Sequence, residues 1–331
     1  MDSVIVRSCQ QRARVCALVV VSTLASMGAT RVWAQPGVVP KDPVTATMMR
    51  RLAALSADSM EGRRAGSPGS ARARAWLIRE LTAMGAKPFG TSFEMPVKLR
   101  ARAPSTDTVG ANVVARIPGA KSDGPVLVLS AHYDHLGVRN GETYNGADDD
   151  ASGCVALLTI AERLLKDPPQ YDVILAFFDG EESGMQGSHA FVGAPPVALE
   201  RIAVDVSLDM IARQDGGAIW VAGTSHYNKL KPIADAAAKQ ATVTVRFGHD
   251  TKELKPGDDW TGSSDHAAFH AKGIPFLYLG VEDHADYHKP GDDADKVDPT
   301  FYRGVVEFAY ALVRRLDAKL TDVAAMHGAA K

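Results

Sequence analysis

Val173-Ile174-Leu175-Ala176-Phe177-Phe178-Asp179-Gly180-Glu181-Glu182 is an unbroken apolar run that ends in a turn and two adjacent carboxylates. A half-exposed strand would alternate, so a short continuous run reads as a strand buried on both faces. Two runs have the same form: Val126-Leu127-Val128-Leu129, ending at His132, and Ile202 to Leu208, followed by Asp209. Pro275-Phe276-Leu277-Tyr278-Leu279 is a fourth. Helical periodicities interleave with them: Val155 to Leu165 before Asp167-Pro168-Pro169, Asn228 to Gln240, Ser263 to Ala271 before Gly273, and Phe301 to Leu316. Together they predict an α/β fold, a single-domain, mostly parallel twisted sheet flanked by helices on both faces. Such sheets bind ligands beyond the carboxyl ends of their strands. His132, Glu181, Glu182 and Asp209 all fall there.

Upstream, Val44 to Ser56 and Ser70 to Met84 have helical spacing, with Gly85 placed to end the second helix. Asp58 to Ser67 between them reads as a charged loop. Thr91 to Val97 alternates like an exposed strand, and Ala111 to Ile117 is a strand closed by Pro118-Gly119. The first residues differ in kind: Arg7, Arg12 and Arg14 precede an apolar run from Val15 to Ala29, then Val32-Trp33-Ala34. This pattern predicts a signal peptide over 1–34, cleaved after Ala34, and an exported protein, periplasmic or secreted. A membrane anchor is the weaker reading, because Ser22, Ser26 and Gly28 interrupt the run. Of the 3 cysteines only Cys154 survives cleavage, so no internal disulfide is expected. In Gly153-Cys154-Val155-Ala156 it reads as a small buried hydrophobe. With 331 residues, 46% hydrophobic, 23% charged and a net charge of −2, the chain has ordinary globular composition. Nothing points to nucleic acid or an anionic membrane as partner.

The polar residues at these strand ends and loops have the chemistry of a two-metal site, imidazole nitrogen with carboxylate oxygen. In His132-Tyr133-Asp134 the aspartate can accept a hydrogen bond from the imidazole nitrogen facing away from a metal. His135 reads as a distractor whose side chain points away from that of Asp134. Asp148-Asp149-Asp150 precedes a helix start; the three carboxylates repel unless cations compensate. One can bridge two metals, and Asp150 can cap the helix. Glu181 and Glu182 diverge, so one can hold a metal while the other faces substrate as general base. Asp209 sits in apolar surroundings that call for a metal or for a salt bridge with Arg213. His288 lies in a loop between Tyr287 and Pro290. Ser263-Ser264-Asp265-His266 reads as a structural helix start. No Gly-x-Ser-x-Gly or His-Glu-x-x-His occurs, which argues against serine-elbow and thermolysin-like schemes.

Taken in order, His132-Tyr133-Asp134, Gly146 to Gly153, Glu181-Glu182-Ser183-Gly184, Leu208-Asp209-Met210, Ser264-Asp265-His266 and His288 resemble the secreted zinc aminopeptidase family. That family includes aminopeptidase Y and the bacterial leucyl aminopeptidases, with glutamate carboxypeptidase II more distant. The likeness covers roughly Asn112 to Leu316. It implies two zinc ions, His132 and Asp209 on one, Glu182 and His288 on the other, with Asp149 bridging. Glu181 would be the general base and Asp134 the partner of His132. A non-proline cis peptide would follow Asp149. The implied activity is hydrolysis of N-terminal peptide bonds, on peptides with a free N-terminus, by water activated between the metals. A carboxypeptidase or dipeptidase of the same chemistry would need a basic clamp, with Lys255, Lys289 and Arg213 as candidates. A single-zinc glutaminyl cyclase is a further alternative. Trp260 and Thr261 stand where some relatives have an oxyanion-stabilising tyrosine. The expected organisation is a lead-in over 35–43, mobile, a zinc peptidase catalytic domain over 44–317, and a frayed tail over 318–331.

Overall fold

Strand after strand, the apolar runs divide their side chains between two cores. A computed structural model of the chain describes residues 42–100, 108–251, 253–255 and 257–328. In chain order these form α1 (Pro43–Leu55), α2 (Pro68–Met84), β1 (Lys87–Pro88), β2 (Glu94–Leu99), β3 (Thr108–Ile117) and β4 (Val126–His132). The hairpin β5 (Gly137–Arg139) and β6 (Glu142–Tyr144) follows, then α3 (Gly153–Lys166), β7 (Val173–Phe178), α4 (Gln186–Gly193), β8 (Ile202–Leu208) and β9 (Ile219–Ala222). Last come α5 (Lys231–Ala238), β10 (Val245–Phe247), α6 (His266–His270), β11 (Phe276–Gly280), α7 (Pro299–Asp317) and α8 (Leu320–Ala324).

The main sheet runs β1-β3-β7-β4-β8-β11-β9-β10, with β2 also paired to β3. Its middle, β7-β4-β8-β11, is parallel; β3 and β9 flank it antiparallel. Successive residues point to opposite faces. Leu127, Leu129, Val173, Leu175 and Phe177 therefore enter the larger core with α1, α2, α3 and α7. Val126, Val128, Ile174, Ala176 and Phe178 enter the smaller one with α4 and α6. This two-sided burial is why the runs show no alternation.

Several expectations need correction. Asp42 and Pro43, assigned to the mobile lead-in over 35–43, instead start α1, where Asp42 accepts the Thr45 amide at 2.8 Å. The signal peptide and residues 35–41 lie outside the described residues. The tail over 318–331 is not frayed where it is described: α8 and Met326 bury Leu320, Val323 and Met326. Apolar residues spaced three apart gave the helical signal there. The hairpin β5–β6 also carried a readable sign, Asn140-Gly141, both with positive φ. Among the described residues no helix is long and apolar enough to cross a membrane.

Candidate metal centre

β4 lies between β7 and β8, so the residues at or beyond the ends of these strands become neighbours. His132 Nε2 stands 3.2 Å from Asp149 Oδ1 and 3.4 Å from Asp209 Oδ1. The other ring nitrogen faces the backbone carbonyl of Asp134 at 3.1 Å, while the Asp134 carboxylate is 3.8 Å away, too far for a hydrogen bond. The reading that this carboxylate receives the imidazole proton is thus corrected. It accepts the Glu181 amide instead, at 3.0 Å. The alternative partner for Asp209 is also settled, since Arg213 pairs with Asp215 and Asp286.

The three consecutive aspartates have three separate partners. Asp148 accepts the Ala212 amide at 2.7 Å and faces His284 Nε2 at 3.3 Å. Asp150 accepts the amides of Gly153, at the start of α3, and His132. Asp149 alone turns toward His132 and His288: its Oδ2 is 3.2 Å from His288 Nε2. The Asp149–Asp150 peptide is cis. Glu182 completes this second group, its Oε2 3.3 Å from His288 Nε2. His135, read as a distractor, belongs here too, with Nδ1 2.6 Å from Glu182 Oε1 and 3.6 Å from Asp149 Oδ2.

The loop before Asp149 hangs on a residue that the charged-loop reading of Asp58 to Ser67 missed. Arg63 is completely buried. Its guanidinium donates to the carbonyls of Tyr133, Leu55, Asn145 and Gly146. Glu61, Gly62 and Arg63 all have positive φ, and a Cβ on Gly62 would lie 2.4 Å from the Tyr144 carbonyl oxygen. That glycine lets the turn press against the hairpin and aim Arg63 inward. From the other side, Asp292 accepts the amides of Asp148 and Asp149 at 3.1 Å.

Burial alone would raise the Asp149 pKa, but the imidazoles of His135, His132 and His288 hold it well below the usual carboxylate range. Glu181 goes the other way: burial, then the carboxylates of Asp265, Asp209 and Glu182, push it well up against the pull of His132. Asp265 itself is pushed up to about 6, chiefly by burial, and neither carboxylate oxygen has a hydrogen-bond partner. Asp149 and Glu181, with His132, Glu182, Asp209 and His288, border a cavity of about 400 Å³, with Met210, Trp260, Tyr278, Val281 and Tyr287 as its apolar wall. Trp260 stacks on His249 at 3.8 Å and Tyr287 on His288 at 3.9 Å. A cavity of about 570 Å³ on another side of Glu182 is lined by Arg64, Arg100 and Arg139.

The residues fit zinc. Ligand atoms about 2.0–2.2 Å from a tetrahedral ion stand about 3.3–3.5 Å from one another. The separations of 3.2 and 3.4 Å around His132 and 3.2 and 3.3 Å around His288 match this spacing. Asp209 Oδ1 and Glu182 Oε1 are buried and without hydrogen-bond partners, as ligand atoms aimed at a cation would be.

The model of Peptidase family M28 matches residues 112–313. Aminopeptidase YwaD of Bacillus subtilis (strain 168) is 28% identical over 181 residues, 52% of this chain and 37% of YwaD. The chain spans 65% or less of the length of the curated relatives YwaD and its like that it matches. Among solved structures, an aminopeptidase from Aneurinibacillus sp. strain AM-1 superposes with a TM-score of 0.64 at 17% identity, over 81% of this chain and 93% of that one. A glutaminyl cyclase from Porphyromonas gingivalis gives 0.66 at 20% identity, over 81% and 97%. These two similarities speak for the fold.

Proposed function

The chain belongs to peptidase family M28, and we propose that it is an exported metallo-aminopeptidase with two zinc ions. The observation that carries this reading is the division of Asp149, Oδ1 toward His132 and Oδ2 toward His288. His132 and Asp209 would hold one ion, Glu182 and His288 the other, and Asp149 both. Bound zinc supplies Lewis acidity toward a carbonyl oxygen and lowers the pKa of a water molecule.

Glu181 is the general base. It lines the cavity with His132, Glu182 and Asp209, from where it can take a proton from the attacking water and pass it to the departing amine. Asp134 acts as a positioning residue, its carboxylate fixing the Glu181 amide and its carbonyl the His132 ring. Trp260, Tyr278, Val281 and Tyr287 offer an apolar pocket for the side chain of the cleaved residue. Tyr287, stacked on His288, closes that wall beside the site.

Metal analysis of the mature protein, starting at Gln35, beside aminoacyl chromogenic substrates tests the reading. Glu181→Gln should keep its zinc and lose about two to four decades of turnover. Near-full activity in that variant removes Glu181 from the role. The arginine-lined cavity beside Glu182 favours a second reading, a dipeptidase or carboxypeptidase. Arg213 and Lys289 are less suited as the clamp, being engaged by Asp215 and Asp286 and by the Ala285 carbonyl respectively. Faster turnover of substrates with a blocked amino group would favour it. One zinc per chain would favour a cyclase.

A further inference from the structure

We propose that His135 is a further protein ligand of the metal held by Glu182 and His288, binding through Nδ1. The inference rests on the two-metal reading and adds a residue to it. His135 is 1% exposed, and neither ring nitrogen has a hydrogen-bond partner. A neutral buried imidazole normally donates one N–H and accepts at the other nitrogen, so two idle nitrogens are costly. Nδ1 nevertheless lies 2.6 Å from Glu182 Oε1, which is also without a hydrogen bond. With Asp149 Oδ2 3.6 Å from Nδ1, these atoms form a buried group of three ligand atoms that one cation could share once Nδ1 and Oε1 part to ligand spacing. The ring's position is enforced from behind: a Cβ on Gly146 would meet its Cδ2 at 2.5 Å. Only glycine there lets the imidazole sit against the loop that carries Asp149.

The two centres are then unequal. His132, Asp149 and Asp209 make three protein ligands, the number that leaves a coordination position for chemistry. Asp149, Glu182, His288 and His135 make four, the number of a closed site. The second centre should therefore keep its metal when the first has lost it.

Holoprotein equilibrated against graded concentrations of a zinc chelator, with zinc per chain then counted by elemental analysis, tests this. The wild type should release its two ions in separate steps. In His135→Ala the tighter step should move to about 10- to 100-fold weaker chelation, while the weaker step stays in place. His135→Phe keeps a ring of similar size without nitrogens, so it should show the same shift if His135→Ala folds poorly. Release of both ions at wild-type chelator concentrations in both variants overturns the ligand assignment alone. A wild type that never holds more than one zinc overturns it together with the two-metal reading.

Discussion

The two halves of the metal centre rest on different supports. His132 and Asp209 lie at the ends of β4 and β8, and the hydrogen-bonded ladder between these strands fixes their spacing. Glu182, His288 and Asp149 stand on loops, and polar side chains hold those loops: Arg63 and Asp292 on the segment around Asp149, Asp134 on the Glu181 amide. Backbone pairing between buried strands needs no particular side chain, whereas each loop clamp is one specific buried group. The loop half should therefore be the more sensitive to single substitutions, and the strand half to whatever disturbs its packing.

The largest effect expected is that of Arg63→Met. It leaves four buried carbonyls without their donor and should destabilise the protein by about 3–5 kcal/mol in denaturant melts, with loss of zinc. A change below about 1 kcal/mol would erase the contrast between the halves. Acid should act on the strand half. His266 packs against Phe276 and Tyr278, and burial depresses its pKa to about 3. Between pH 6.5 and 5 the unfolded chain binds a proton there that the folded chain refuses, so this contribution falls as the pH falls. Relative to His266→Gln, the wild type should lose about 1–2 kcal/mol over that interval, read in parallel melts. Equal pH slopes would refute a buried neutral imidazole. The smallest effect sharpens the comparison from outside both halves. Asp298→Ala removes the cap of α7, where Asp298 accepts the amides of Thr300 and Phe301, and should cost about 1 kcal/mol without altering zinc content.

The same division governs what the sequence could disclose. Apolar runs ending in His132, Glu181-Glu182 and Asp209 are local patterns, and topology turns them into neighbours by a general rule. Asp149 and His288 became assignable through the order of the motifs. Arg63 was unreadable because a charged residue among charged residues looks solvated; only the left-handed turn at Glu61, Gly62 and Arg63 turns it inward. The place of His135 beside Glu182 was unreadable for a similar reason: the chain has left β4 by that point, and the alternation of a regular strand no longer says where the side chain goes. Asp292 and His284 act across more than a hundred positions, with no periodicity to announce them.

Cys154 gives the centre a built-in reporter. Its thiol is fully buried, donates to the His132 carbonyl at 3.1 Å, and has its pKa pushed well up by burial and the nearby Asp150. Almost no thiolate exists at this sulfur at neutral pH, so alkylating reagents should spare Cys154 in the folded protein. Any labelling of this sulfur would then time the opening of the core directly behind the first ligand.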